Sequence, residues 1–161
     1  MDGRAEDVLA ATCALYEDLC PPDLSAMVAP GIPALLDALA ARTEEFRFSL
    51  VTGYFVQVAR LKLARAGIGH HFAAGQGAFG SDAEAREALP AIARARAGGW
   101  PRERTVVIGD TPRDIACARA DDVAVVGIAT GPYASAELGA ADAVVEEAAA
   151  LEPVLAAMAR G

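Results

Sequence analysis

Arg104-Thr105-Val106-Val107-Ile108-Gly109-Asp110-Thr111-Pro112-Arg113-Asp114 turns from strand to helix within a few residues. Thr105 to Ile108 are four β-branched residues in succession, the composition of a buried strand. Gly109 and Asp110 leave its tip. Thr111 suits the cap of the following helix and Pro112 its first turn, with the helix running to Ala120. Asp114 lies four residues beyond Asp110, so both carboxylates can face one crevice. Such a pair suits magnesium, which takes one or two carboxylates, several waters and phosphate oxygens. The plainer alternative is a turn residue, Asp110, and an acid, Asp114, set against a helix dipole for about 0.3–1 kcal/mol.

Outward from this stretch, strand and helix alternate. Phe46–Val51 reads as an apolar strand, then a helix over 53–66 ended by Gly67. Phe72–Gly75 is a weak strand, Asp82–Ala97 a long helix closed by Gly98-Gly99. Val123–Ala129 is a buried strand, followed by Gly131-Pro132 and a short helix to Leu138. Ala143–Val145 and Glu147–Ala159 are a last strand and helix. Before them come a helix over 4–20, stopped at Cys20-Pro21-Pro22-Asp23, a short segment over 24–28, and a helix over 33–41 with Pro33 in its first turn. Continuous β-branched strands between helices predict an α/β fold: a three-layer, Rossmann-like parallel sheet with helices on both faces. The first 30 residues are helical without strands and look like an appended helical element.

The chain has 161 residues, enough for one domain with a core. Apolar residues make up 54 % and charged residues 22 %, which argues against disorder. The net charge of -8 repels phosphate backbones and anionic bilayers, so no nucleic acid and no membrane is expected as partner. Cys13, Cys20 and Cys117 are scattered and odd in number, which reads as reduced thiols in a cytoplasmic protein. The acidic N-terminus resembles no secretory signal, and no apolar run has the length of a membrane span.

In an open parallel sheet, ligands bind at the carboxyl ends of the strands. Thr52-Gly53 sits at one such end, where Thr52 either caps the next helix or donates to an anion. Gly80-Ser81-Asp82 with Arg86 sits at another, where Arg86 is either an exposed helical residue or a phosphate ligand. His70-His71 reads as loop surface, lacking a metal spacing. Asp121-Asp122 reads as an exposed turn, and Trp100 and Tyr133 as packing residues.

In order, Thr52-Gly53, a basic residue on a later helix (Arg86) and Gly109-Asp110 with Asp114 resemble the second, third and fourth motifs of the haloacid dehalogenase-like (HAD) hydrolases. Pro30-Gly31-Ile32 with Leu35, Leu36 and Leu39 resembles the helix before the second motif. Lys62-Leu63, Ala66-Gly67-Ile68 and Phe79-Gly80-Ser81-Asp82 resemble the phosphoglycolate-phosphatase-like branch, and Ala129-Thr130-Gly131 with Glu137-Leu138 continues the likeness. Residues 1–28 resemble part of a helical cap, and residues 29–161 the α/β core. The resemblance implies a magnesium-dependent (Mg2+) phosphatase acting on a small phosphorylated metabolite. An aspartate attacks the phosphoryl group and water hydrolyses the product. It implies Asp110 and Asp114 at the metal and Thr52 and Arg86 at the phosphate.

The family's first motif, Asp-x-Asp on a central strand, carries the nucleophile, and this sequence contains no Asp-x-Asp. Tyr54 stands where the branch commonly has Asn. The expectation is therefore a core without its first, central strand, inactive alone through truncation. A non-catalytic phospholigand- or partner-binding protein is the alternative, with a strand-donating partner or self-association closing the sheet. A dehalogenase is a third reading, which leaves the acid pair without a use.

Overall fold

A computed structural model describes residues 3–159; Asp2, which with Gly3 echoes the family's Asp-x-Asp motif only superficially because Arg4 follows, lies outside them. The sheet has three parallel strands among the described residues: β1 (Val106–Gly109), β2 (Ala124–Ile128) and β3 (Ala143–Val145), in that order. Val107 is opposite Val125, and Gly127 opposite Val144. The helices are α1 (Gly3–Leu19), α2 (Ile32–Ala40), α3 (Val56–Arg65), α4 (Leu89–Arg96), α5 (Pro112–Ala120) and α6 (Leu151–Met158).

β2 organises the layers because its side chains alternate between faces. Val126 and Ile128 join Leu35 and Leu39 of α2 and Leu151 and Leu155 of α6. Val125 points the other way, to Ile115 and Ala118 of α5 and to Leu138. The sheet is thus covered on both faces, as the alternating pattern predicts. A smaller cluster of Ala78, Leu89 and Ala93, with Val51 against it, anchors α4.

β1 is less well covered than β2. It lies at an edge of the sheet, and Ile108 is 43 % exposed. The segment 46–51 lies nearby, since Phe46, Phe48 and Val106 all pack on the same cluster. It alternates half-buried Phe46, Phe48 and Leu50 with exposed Arg47 and Ser49. Yet it is not the strand the sequence predicts: its only sheet pairing among the described residues is a parallel bridge from Val51 to Ala78. The physical reason is the lack of a partner on its other side. A strand is a ladder of hydrogen bonds, and apolar alternation alone makes none.

Three further expectations are corrected. Phe72–Gly75 is a turn, because the Arg60 guanidinium gathers the carbonyls of Phe72 (2.6 Å), Ala73 (2.9 Å) and Gln76 (2.7 Å) and curls the chain. The helix over 82–97 starts only at a 3-10 turn, Arg86–Ala88, continuing as α4, because Pro90 is tolerated only in a first turn. The turn at Asp121-Asp122 is not wholly exposed. Asp121 is buried between Arg94 (2.7 and 2.8 Å) and Arg102 (3.3 Å), while Asp122 takes a left-handed φ of 54°.

α1 has no buried residue among those described and rests on α3. Arg65 of α3 donates to the carbonyls of Glu17 (3.1 Å) and Cys20 (2.6 Å). No described helix is long and apolar enough to cross a membrane.

Candidate active site at the strand ends

Asp114 opens α5 as the third residue of a reciprocal cap. Its backbone N–H approaches the Thr111 hydroxyl oxygen (3.4 Å), and its Oδ2 accepts from the Thr111 hydroxyl (2.8 Å) and amide (3.1 Å). Its Oδ1 accepts from Arg86 Nη2 at 2.7 Å. Asp114 is therefore largely committed within the protein. Asp110 differs: no hydrogen bond or ion pair to its carboxylate occurs among the described residues, and it is half-buried. Gly131 lies against it so closely that a Cβ there would overlap Asp110 Oδ2.

Arg86 joins two loops. One side of its guanidinium holds Asp114; Nη1 lies 3.2 Å from where a Gly53 Cβ would stand. Its Nε is buried without a hydrogen-bond partner among the described residues. Cys117, one turn along α5 from Asp114, lies under the same guanidinium. Burial pushes its thiol up, and Arg86 partly offsets this.

The Thr52 loop is fixed from below. Thr52 N–H donates to Ala78 O (3.0 Å), and Gly80 N–H donates to Tyr54 O (2.9 Å). A Cβ on Gly80 would collide with the Gly53 carbonyl, so only glycine admits this approach. Thr52 does not cap α3, which begins at Val56 behind Phe55. Its hydroxyl oxygen instead accepts from Tyr54 N–H (3.3 Å), leaving its O–H to donate elsewhere. Exposed Tyr54 lies under Lys62 Nζ, 4.0 Å from the ring centroid.

Asp82 holds this corner together. It accepts from Phe79 N–H (2.8 Å) and pairs with Arg96 of α4 at 2.6 and 2.8 Å. The Arg96 hydrogen bonds hold its carboxyl below the usual range. Thr52 and Gly53, Arg86, Asp114 and Thr111 thus form one chain of contacts at the strand ends, with Asp110 and Gly131 beside it. Sequence reading missed the contacts of Gly80, Gly131 and Cys117; only the glycine identities signalled the first two.

The family model of the haloacid dehalogenase-like hydrolases matches residues 1–119. Among solved structures, a hydrolase from Pseudomonas syringae is 23 % identical, with a TM-score of 0.68 over 98 % of this chain and 71 % of that one. A conserved haloacid dehalogenase-like protein of unknown function from Agrobacterium tumefaciens is 22 % identical, with a TM-score of 0.63 over 81 % of this chain and 61 % of that one. These two likenesses establish a shared fold. No curated protein matches.

Proposed function

This chain belongs to the haloacid dehalogenase-like hydrolases, and on that premise we propose that it forms the phosphate- and magnesium-binding part of a phosphomonoesterase for a small phosphorylated metabolite. The observation that carries this is Arg86: buried Nε unpartnered, one arm on Asp114, the other against Gly53. An anion held at the Thr52-Gly53 loop would meet Nη1, the arm that faces Gly53. The oxygen donors fit magnesium, with Asp110 as the free carboxylate and Asp114 contributing through the lone pairs its internal bonds leave. When bound, the ion supplies positive charge against the phosphoryl oxygens.

Thr52 donates its hydroxyl to a phosphoryl oxygen, its own oxygen being oriented by Tyr54 N–H. Arg86 holds the phosphoryl group and neutralises Asp114. Gly131 keeps the Asp110 carboxylate turned into the crevice. The nucleophile has no counterpart among these 161 residues. We place it on a parallel strand added between the free edge of β1 and segment 46–51, from a segment beyond these residues or from a partner. α1 then belongs to a helical cap over residues 1–28, with the core over 29–161. Free Cys13, Cys20 and Cys117 accord with a cytoplasmic setting.

Calorimetric titration tests this reading. The chain binds Mg2+ with inorganic phosphate, and Asp110→Asn weakens Mg2+ binding by more than about tenfold, since even losses outside the first coordination sphere cost that much. Unchanged affinity would overturn the metal assignment. The chain alone does not hydrolyse p-nitrophenyl phosphate; a supplied strand bearing Asp-x-Asp restores turnover. Turnover without it refutes the placement of the nucleophile. The lack of any Asp-x-Asp also favours a second reading, a non-catalytic phospholigand- or partner-binding protein, which is the outcome if a strand binds without turnover.

Gly131→Ala separates geometry from stability. Gly131 is exposed, so stability should change by no more than about 0.5 kcal/mol. The new Cβ displaces Asp110 Oδ2, and Mg2+ affinity should fall severalfold in the same titration.

A further inference from the structure

The helix α2 and the turn after α3 meet at a second cluster, beside the start of the segment that ends at Thr52. One donor atom each from Asp37, His70 and His71 lies within 4.8 Å of the others. His71 Nε2 is 3.3 Å from Asp37 Oδ1. The pair His70-His71, read from sequence as loop surface, is half of the story: the missing member, Asp37, comes from 33 residues upstream, a separation that no local spacing reveals.

We propose that Asp37, His70 and His71 bind a borderline transition cation, Zn2+ in the first instance. Two imidazoles and a carboxylate suit Zn2+ and its neighbours, whereas Mg2+ and Ca2+ take oxygen donors. Around tetrahedral Zn2+, with bonds of roughly 2.0–2.1 Å, donors stand about 3.3 Å apart. The Asp37–His71 separation already has that value. The wider separations close by rotation of two exposed side chains: His70 is exposed, and Asp37 is 72 % exposed.

His71 supplies the rigid member. Its side chain is 4 % exposed and meets Phe48 edge-on, with ring centroids 6.0 Å apart at 81°. The His70 ring follows at 4.0 Å, tilted by 39°. The cluster opens on a groove lined by Glu44, Phe46, Arg47 and Gln76, so a cation and its water ligand have access. A metal here would tie α2 to the turn at Gly69–His71, independently of the acid pair at the strand ends.

The test is titration of ZnCl2 into the full 161-residue chain, by calorimetry, with excess Mg2+ present to occupy the acid pair. One equivalent is expected. His70→Ala and Asp37→Ala should each weaken binding by more than about tenfold. Both side chains are exposed, so these variants keep the fold, which circular dichroism checks. Asp110→Asn and the double variant Cys13→Ala/Cys20→Ala should bind Zn2+ as wild type does. Zn2+ uptake unaffected by His70→Ala and Asp37→Ala, uptake abolished by the cysteine variant, or no uptake by wild type would each overturn the proposal.

Discussion

Asp121→Asn is expected to destabilise the fold by about 3–5 kcal/mol, the usual cost of removing one partner from a buried ion pair. The carboxylate is 2 % exposed and accepts two bonds from Arg94 and one from Arg102. Asn keeps one acceptor oxygen, so Arg94 loses one of its two bonds and its counter-charge, faces an NH2 donor instead, and retains the Trp100 carbonyl at 2.8 Å. Arg102, more exposed, recovers water. Domains are typically stable by only 5–15 kcal/mol, so such a loss takes a large share. The hydrogen bonds from Arg94, then the one from Arg102, hold the Asp121 carboxyl below its usual range. The sign follows. Above the unfolded carboxylate value, near 3.9, both states are ionised and the full contribution is present. As pH falls below that value and through the lower folded value, the contribution is lost. Urea denaturation across that acid range should show wild type weakening more steeply than Asp121→Asn. Parallel curves would refute the assignment.

Residues whose role is local were legible in the sequence. α5 begins at Pro112 and ends at Ala120 as expected, because Thr111, Pro112 and Asp114 specify their own cap. β3 occupies Ala143–Val145 for a similar reason, being short and bounded by turns. Errors arose where distant groups decide. Segment 46–51 has the composition of a strand but lacks a ladder, and nothing within it announces that. The turn at 72–75 depends on Arg60, more than ten residues away. Pro90 is a local signal for the late start of α4, set within an Ala-rich stretch of helical composition.

At the site, hydrogen bonds decide which residue is available. Asp110 and Asp114 look equivalent in sequence. In the structure Asp114 is engaged by Thr111 and Arg86, whereas the Asp110 carboxylate has no such bond. Taken by itself, Arg86 reads better as an exposed helical residue, and its contact across to α5 is what distinguishes it. His71 illustrates the same limit, since its partner Asp37 belongs to another helix.

Gly109→Ala should give the largest combined loss of stability and metal binding. Gly109 ends β1 opposite Gly127. A Cβ there would overlap Asp114 Cβ and stand 2.6 Å from its Cγ and 2.7 Å from Oδ2. Asp114 Cβ is carried by the α5 backbone, so rotating the side chain does not relieve the overlap. α5 must move away from the β1 tip. That strains the packing of Ile115 and Ala118 and breaks the Thr111–Asp114 cap. Overpacking costs about 1–3 kcal/mol and a lost cap about 1 kcal/mol, so about 2–4 kcal/mol is expected by urea denaturation. The same shift takes Asp114 from Arg86 and releases the guanidinium from the site. Gly127→Ala is the control. Its Cβ would point to the same face but meet Leu138 Cβ at 3.1 Å and Val144 Cγ2 at 3.6 Å, touching neither acid. It should lower stability while leaving Mg2+ affinity unchanged. If Gly109→Ala also retains wild-type Mg2+ affinity, Asp114 does not belong to the metal site, and Asp110 holds the cation without it.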